Sequence, residues 1–239
     1  MADVLVLCYH AVSPSWPAAL STTPERFEEQ LELLLRRGYV ATTFERAVAD
    51  APAGRRTMAV TFDDAYRSVQ ALALPIMERL GVPGTVFAPT DSVGSPEPMQ
   101  WDGIDQWLGG PHEQELMCLG WPELRALAEA GWEVGSHTRS HPRLTQVGDE
   151  QLAAELEESR AACEEGLGRA CPSIAYPYGD VDARVIAATR AAGYHVAAAL
   201  PKRHGSRDPL DWPRVGVYHR DDLRRFRLKV SPLLRRLRG

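Results

Sequence analysis

The chain has little of what secretion, redox chemistry or nucleic-acid binding require. Its four cysteines, Cys8, Cys118, Cys163 and Cys171, form no CxxC pair, which excludes a zinc ribbon or dithiol centre and leaves reduced, structural thiols. Positive charge is not in surplus. With 27 Lys and Arg against 32 Asp and Glu the net charge is -5, so no nucleic-acid partner is expected. The apolar run VLVLCY is too short to export or span, and Asp3 stands where an export leader carries positive charge. A cytoplasmic protein is expected. No low-complexity linker interrupts the 239 residues, a length that suits one α/β barrel of roughly 200 to 250 residues better than two domains.

One stretch departs from the acidic balance. In DDLRRFRLKVSPLLRRLRG, from about 221 to 239, Arg224, Arg225, Arg227, Lys229, Arg235, Arg236 and Arg238 alternate with leucines. A basic C-terminal helix is expected there, either a solvated face or a peripheral contact with anionic membrane or a lipid-linked substrate.

Short β-branched runs alternate with longer segments of helical period, the pattern of βα units around a parallel sheet. Strands are expected at 4–9, 39–43, 58–62, 84–88, 132–136, 173–177, 195–200 and 214–218. Helices lie between them, nearly all closed by a glycine, as Gly38 closes PERFEEQLELLLRRG. This predicts an α/β single domain, a closed or partly open (β/α) barrel, with an open doubly wound sheet as the alternative. In either, the site belongs at the carboxyl ends of the strands. The segment 90–120, rich in Trp, Gly and Pro, fits no βα unit and is expected to be an elaborated wall or lid over that face.

Two of those strand ends carry chemistry. Asp63 and Asp64 follow MAVTF, and two adjacent carboxylates are tolerable there when a cation or proton is shared. His137 and His141 follow WEVGS with HxxxH spacing, which on a helical turn would project both imidazoles from one side. Two imidazoles and a carboxylate provide three ligands for a divalent metal and leave room for a water. Asp64, His137 and His141 are assigned as the ligands and Asp63 as the base. The same ligands suit iron in oxygen chemistry, but a base beside the water favours hydrolysis.

TFDD, SHTRSH and AYPYG, in that order, resemble the first three motifs of the polysaccharide deacetylases, the NodB-homology or carbohydrate esterase family 4 enzymes, and YHAVSP resembles the start of many bacterial members. The resemblance runs from Tyr9 to about His219. It implies a distorted (β/α)7 barrel that hydrolyses N-acetyl or O-acetyl groups on sugars, usually with Zn2+ or a similar divalent ion such as Co2+. It repeats the roles of Asp63, Asp64, His137 and His141, and gives Tyr178 an oxyanion-binding backbone N–H with Tyr176 beside the groove. DPLDW resembles a fourth motif, placing Asp211 and Trp212 at the substrate, with Trp212 either lining the acetyl pocket or simply packed. VYH resembles a fifth, making His219 the general acid, with His10 a competitor for that role and a site residue in any case. Many members carry an Arg three positions before the tyrosine; Ala175 stands there instead, so the base should lack a cationic neighbour and its pKa should rise.

The expected activity is removal of an acetyl group from an N-acetylated amino sugar, whether a cytoplasmic glycan precursor, a lipid-linked sugar or a natural-product sugar. The alternatives are hydrolysis of another linear or cyclic amide, such as a formamide or ureide, and a catalytically silent carbohydrate-binding relative.

Overall fold

The computed structural model describes residues 3–200 and 208–233. Its strands, in chain order, are β1 (Asp3–Tyr9), β2 (Ala11–Val12), β3 (Ser21–Thr22), β4 (Tyr39–Thr42), β5 (Arg56–Phe62), β6 (Gly84–Ala88), β7 (Glu133–Ser136), β8 (Ser173–Ala175), β9 (Val196–Ala199), β10 (Trp212–Pro213) and β11 (Val215–Gly216). The helices are α1 (Pro24–Arg36), α2 (Phe44–Ala49), α3 (Leu74–Leu80), α4 (Trp121–Glu129), α5 (Asp149–Leu167), α6 (Ala183–Ala191) and α7 (Leu223–Lys229). Each of the eight expected strands lies at or beside one of these.

All pairings in the main sheet are parallel, in the order β10-β9-β8-β7-β6-β5-β1-β11. β10 and β11 are one stretch of chain interrupted only by Arg214, so residues 212–216 pair with β9 at one end and β1 at the other. That stretch closes a nearly complete barrel of seven staves, the expected fold. The distortion comes from β4. It pairs with Arg56–Ala59 of β5, whereas β6 pairs with Val60–Phe62, so β4 is wedged between those two staves at the start of the barrel.

Side-chain alternation sorts the staves into two faces. Val6, Ala59, Phe87, Ala175, Val196 and Ala198 cluster with Phe44 and Ala47 of α2, which plugs the end where the strands begin. Leu5, Leu7, Met58, Val60, Val86, Ile174 and Ala197 join the larger cluster beneath the outer helices. Gly135 is required inside: a Cβ there would stand 2.5 Å from Ser173 Oγ and 2.7 Å from Phe87. On the outside, α1 starts with Thr23 accepting from the Arg26 N–H at 3.3 Å, with Pro24 in its first turn, and buries Phe27, Leu31 and Leu34.

Of the stretch expected to form a basic C-terminal helix, residues up to 233 are described. α7 begins at the Asp222 cap, whose side chain accepts from Arg225 N–H, and ends at Val230. After Ser231 the backbone is helical again at Pro232 and Leu233, a proline suiting the first position of a helix. Arg235, Arg236 and Arg238 lie outside the described residues, and none of the described helices is long and apolar enough to cross a membrane.

Candidate active site

The two carboxylates sit where β5 leaves the sheet. Asp63 N–H still donates to Tyr9 O at 3.0 Å, after which Asp64 and Ala65 turn at φ 68 and 49. Among the described residues, five non-glycine positions have positive φ: Asp64, Ala65, Thr138, His141 and Tyr178. All five lie in the loops after β5, β7 and β8, and each costs about 1–3 kcal/mol. Strain concentrated at one end of a barrel points to a site held open by the rest of the fold.

His137 and His141 do not share a helical turn, as HxxxH spacing suggested. They bracket a loop pinned by the buried Glu155 of α5, which accepts from the N–H groups of Arg139 and Ser140, both at 2.9 Å. Thr138 Oγ1 accepts from His141 N–H at 3.1 Å. His137 Nδ1–H donates to Ala175 O at 2.8 Å, which fixes its tautomer and leaves Nε2 bare. Both Nε2 atoms converge on Asp64 Oδ1, at 3.3 Å from His137 and 3.4 Å from His141. All three side chains are buried, and Oδ1 has no hydrogen-bond donor.

That donor set fits a metal. Ligand atoms about 2.0–2.1 Å from a tetrahedral ion stand about 3.3–3.4 Å apart, the separation found here. Burial works to raise the Asp64 pKa, but the two imidazoles that face it more than offset this and hold the carboxyl below its ordinary value. Burial pulls His141 down to about 3, which keeps it neutral and able to ligate. Burial also lowers His137, yet the charges of Asp63 and Asp64 raise it above the ordinary value. A proton on His137 therefore competes with a cation for this position.

Asp63 has a cationic neighbour after all. Arg214, wholly buried at the junction of β10 and β11, binds it through two parallel bonds, 2.6 Å to Oδ1 and 2.8 Å to Oδ2. Arg214 also donates to Thr61 Oγ1 at 3.0 Å. Burial would raise the Asp63 pKa, but Arg214 overcomes it and holds the carboxyl well below the usual range. The rise expected from Ala175 is thus corrected. The cation arrives from a different strand, and Ala175 serves through its carbonyl on His137. The Cys8 thiol lies 3.4 Å from Asp63 Oδ2. Cys8, His10 and Asp63 form a second tight group of potential ligands, but there the guanidinium already provides the positive charge.

The segment 90–120 is a wall tied on both sides. Thr90 and Asp91 donate their N–H groups to Thr138 O and Arg139 O, while Leu119 N–H donates to Ala65 O. Its Trp101 stacks on His141 with ring centroids 4.1 Å apart and planes 22° apart. Tyr178 approaches the same imidazole edge-on at 4.8 Å, its own ring covered by the Arg143 guanidinium at 3.9 Å.

The remaining expected residues divide. His10 is partly buried beside the acid pair, its pKa lowered by burial against the pull of Asp64 and Asp63. His219 is anchored through its backbone, its N–H donating to Ala19 O and its carbonyl accepting from Arg26. Tyr176 is corrected from a groove residue to a packing one: it is fully buried, and its hydroxyl donates to Leu210 O at 2.8 Å. Trp212 packs against the interior cluster, one inward position before Arg214. Asp211 closes a short turn, donating its N–H to Asp208 O.

Arg214, Cys8, Glu155 and Trp101 were not singled out from the pattern. Arg214 had a signal, a lone charge opening the apolar run RVGVY. Cys8 had another, since it shares the inward parity of His10.

Comparison with known proteins agrees with this geometry. Residues 50–197 match the family described as polysaccharide deacetylase. The chain belongs to that family. A chitooligosaccharide deacetylase of Rhizobium leguminosarum bv. trifolii is 29% identical over 188 residues, covering 76% of this chain and 70% of the relative. The structure of IcaB from Ammonifex degensii superposes with a TM-score of 0.74 at 25% identity, covering 90% of this chain and 93% of that one. The Streptococcus pyogenes deacetylase PplD, solved with acetate, shares the fold with a TM-score of 0.77 at 19% identity, over 96% and 99% of the two chains. Family membership supports a hydrolase acting on N-acetyl sugars, and the family is generally metal-dependent.

Proposed function

We propose that the protein is a divalent-metal-dependent N-deacetylase of an N-acetylated amino sugar, with Zn2+ the first candidate ion. The observation that carries this reading is the pairing of two unlike carboxylates: Asp64, donor-free against two bare imidazole nitrogens, and Asp63, clamped by Arg214. Asp64, His137 and His141 would hold the cation, which would supply Lewis acidity and lower the pKa of a water.

Asp63, ionised at any physiological pH, takes the proton from the attacking water. Arg214 fixes the direction of that carboxylate and compensates its charge at rest. The water oxygen joins the acetyl carbon, the amide C–N bond breaks, and the products are acetate and a free amine. Tyr178 contributes its backbone N–H to the developing oxyanion. His219 returns a proton to the departing nitrogen. His10 is the weaker candidate for that step, because burial favours its neutral form. Trp101 and Tyr178 wall the imidazole of His141 and limit access of bulk water to it.

The test is acetate release from a panel of N-acetylated sugars, with chelator and with metal restored. Release that stops with chelator and returns with Zn2+ or Co2+ supports the reading. Stoichiometric metal with no acetate from any sugar would move the assignment to another amide or ureide.

A further inference from the structure

We infer that the end of the barrel opposite the active site is a docking face for an anionic lipid bilayer. An open cleft of about 440 Å³ is lined there by Arg37, Tyr39, Arg56, Arg227, Leu228 and Pro232, among others. Tyr39 and Arg56 are the first residues of β4 and β5, and Asp63 follows the last residue of β5. Seven residues at a rise of about 3.3 Å each put the cleft roughly 23 Å from the catalytic carboxylates.

Two features coincide at this cleft. The first is uncompensated positive charge. Arg56 reaches Asp3 only at 3.9 Å and donates to Arg37 O, while Arg37 and Arg227 have no carboxylate partner among the described residues. Exposed Arg224 and Arg225 lie on the same short helix. The second is exposed apolar surface. Among the described residues four large hydrophobic side chains are exposed; Leu228, at 61%, lines the cleft, and Val40 at 49% and Leu233 at 67% directly follow the lining residues Tyr39 and Pro232 in the chain. Guanidinium groups flanking protruding aliphatic side chains match an acidic headgroup layer above acyl chains.

Charge complementarity selects the occupant. The chain's own C-terminal stretch carries Arg235, Arg236 and Arg238 and would repel the cleft. A second copy meeting it through a two-fold axis would set arginine against arginine. A polyanion without an apolar layer would leave Leu228, Leu233 and Val40 unused. The geometry also changes the expectation drawn from the basic tail. A face directed away from the site does not hand a lipid-linked substrate to it; it holds the enzyme on the bilayer with the catalytic end turned towards the aqueous phase.

Co-sedimentation with vesicles of phosphatidylcholine, alone or mixed with phosphatidylglycerol, tests this on the whole chain. Binding is expected to the mixed vesicles only and to weaken as salt is raised. Each basic residue near an anionic surface contributes about a fivefold gain, so Arg37→Glu with Arg227→Glu should cut binding at least about tenfold. Leu228→Ser with Leu233→Ser should cut it several-fold at unchanged salt dependence. Both double variants should keep wild-type melting behaviour and turnover of a soluble substrate, and vesicles should not inhibit that turnover. Equal binding to both vesicle types, binding indifferent to Arg37 and Arg227, or displacement by RNA with no effect of the leucine changes would overturn the proposal. The binding readouts do not depend on the identity of the sugar, so their failure is distinguishable from failure of the proposed activity.

Discussion

The two ends of the barrel handle polar groups in opposite ways. Where the strands begin, α2 inserts Phe44 and Ala47 as an apolar plug, and the arginines stay outside in water. Where the strands end, Asp63, Asp64, His137, His141 and Arg214 are all buried, and five residues accept left-handed backbone to keep them there. The first arrangement favours folding, whereas the second costs stability. Burying ionised groups is tolerable only because each is matched: Asp63 by a bidentate guanidinium, and Asp64 by the two imidazoles it faces. Function is concentrated where the fold is under strain, and stability where it is not.

The difference between the ends is sharpest in the triad. Asp64→Asn, His137→Ala and His141→Ala should each abolish stoichiometric metal by elemental analysis and lower acetate release by about a thousandfold or more. Arg214→Met comes next. It should lower turnover about a hundredfold and move the acid limb of the pH profile to higher pH, because Asp63 loses the charge that holds its pKa down. It should also cost roughly 3–5 kcal/mol by leaving a buried carboxylate unpaired. The pair's stabilisation is present above the unfolded carboxyl value of about 3.9 and is lost as pH falls towards the lowered folded value. Chemical denaturation should therefore show the gap between variant and wild type narrowing below that pH.

At the other end the readout reverses. Phe44→Ala should cost about 3–5 kcal/mol in denaturation midpoint while leaving metal content and KM unchanged. Tyr176→Phe should show the smallest effect, about 1 kcal/mol from the lost bond to Leu210 O, with no change in kcat. A large drop in kcat for Tyr176→Phe would return that residue to the substrate groove.

The staves were legible because each is a short β-branched run between turn residues, and buried parallel strands have little freedom to look otherwise. Asp63 and His137 were legible for the same reason, as polar residues placed just past an apolar run. The route by which His141 meets His137 was not. A spacing of four suggests a helix, and only Glu155, on a helix later in the chain, makes the loop the better solution. Arg214 was harder still. Its partner lies 151 residues away, and their contact exists only once residues 212–216 have closed the barrel between β9 and β1. Sequence period reports which face a residue occupies, not which other stave stands opposite.

The most direct test is Asp63→Asn, loaded with Zn2+, with metal content and acetate release measured on the same sample. The expected result is stoichiometric metal with acetate release reduced at least about a hundredfold, because an amide cannot take the proton although the ligands are intact. Full acetate release would contradict the role of Asp63 as base, and loss of the metal would contradict the division of labour between the two carboxylates.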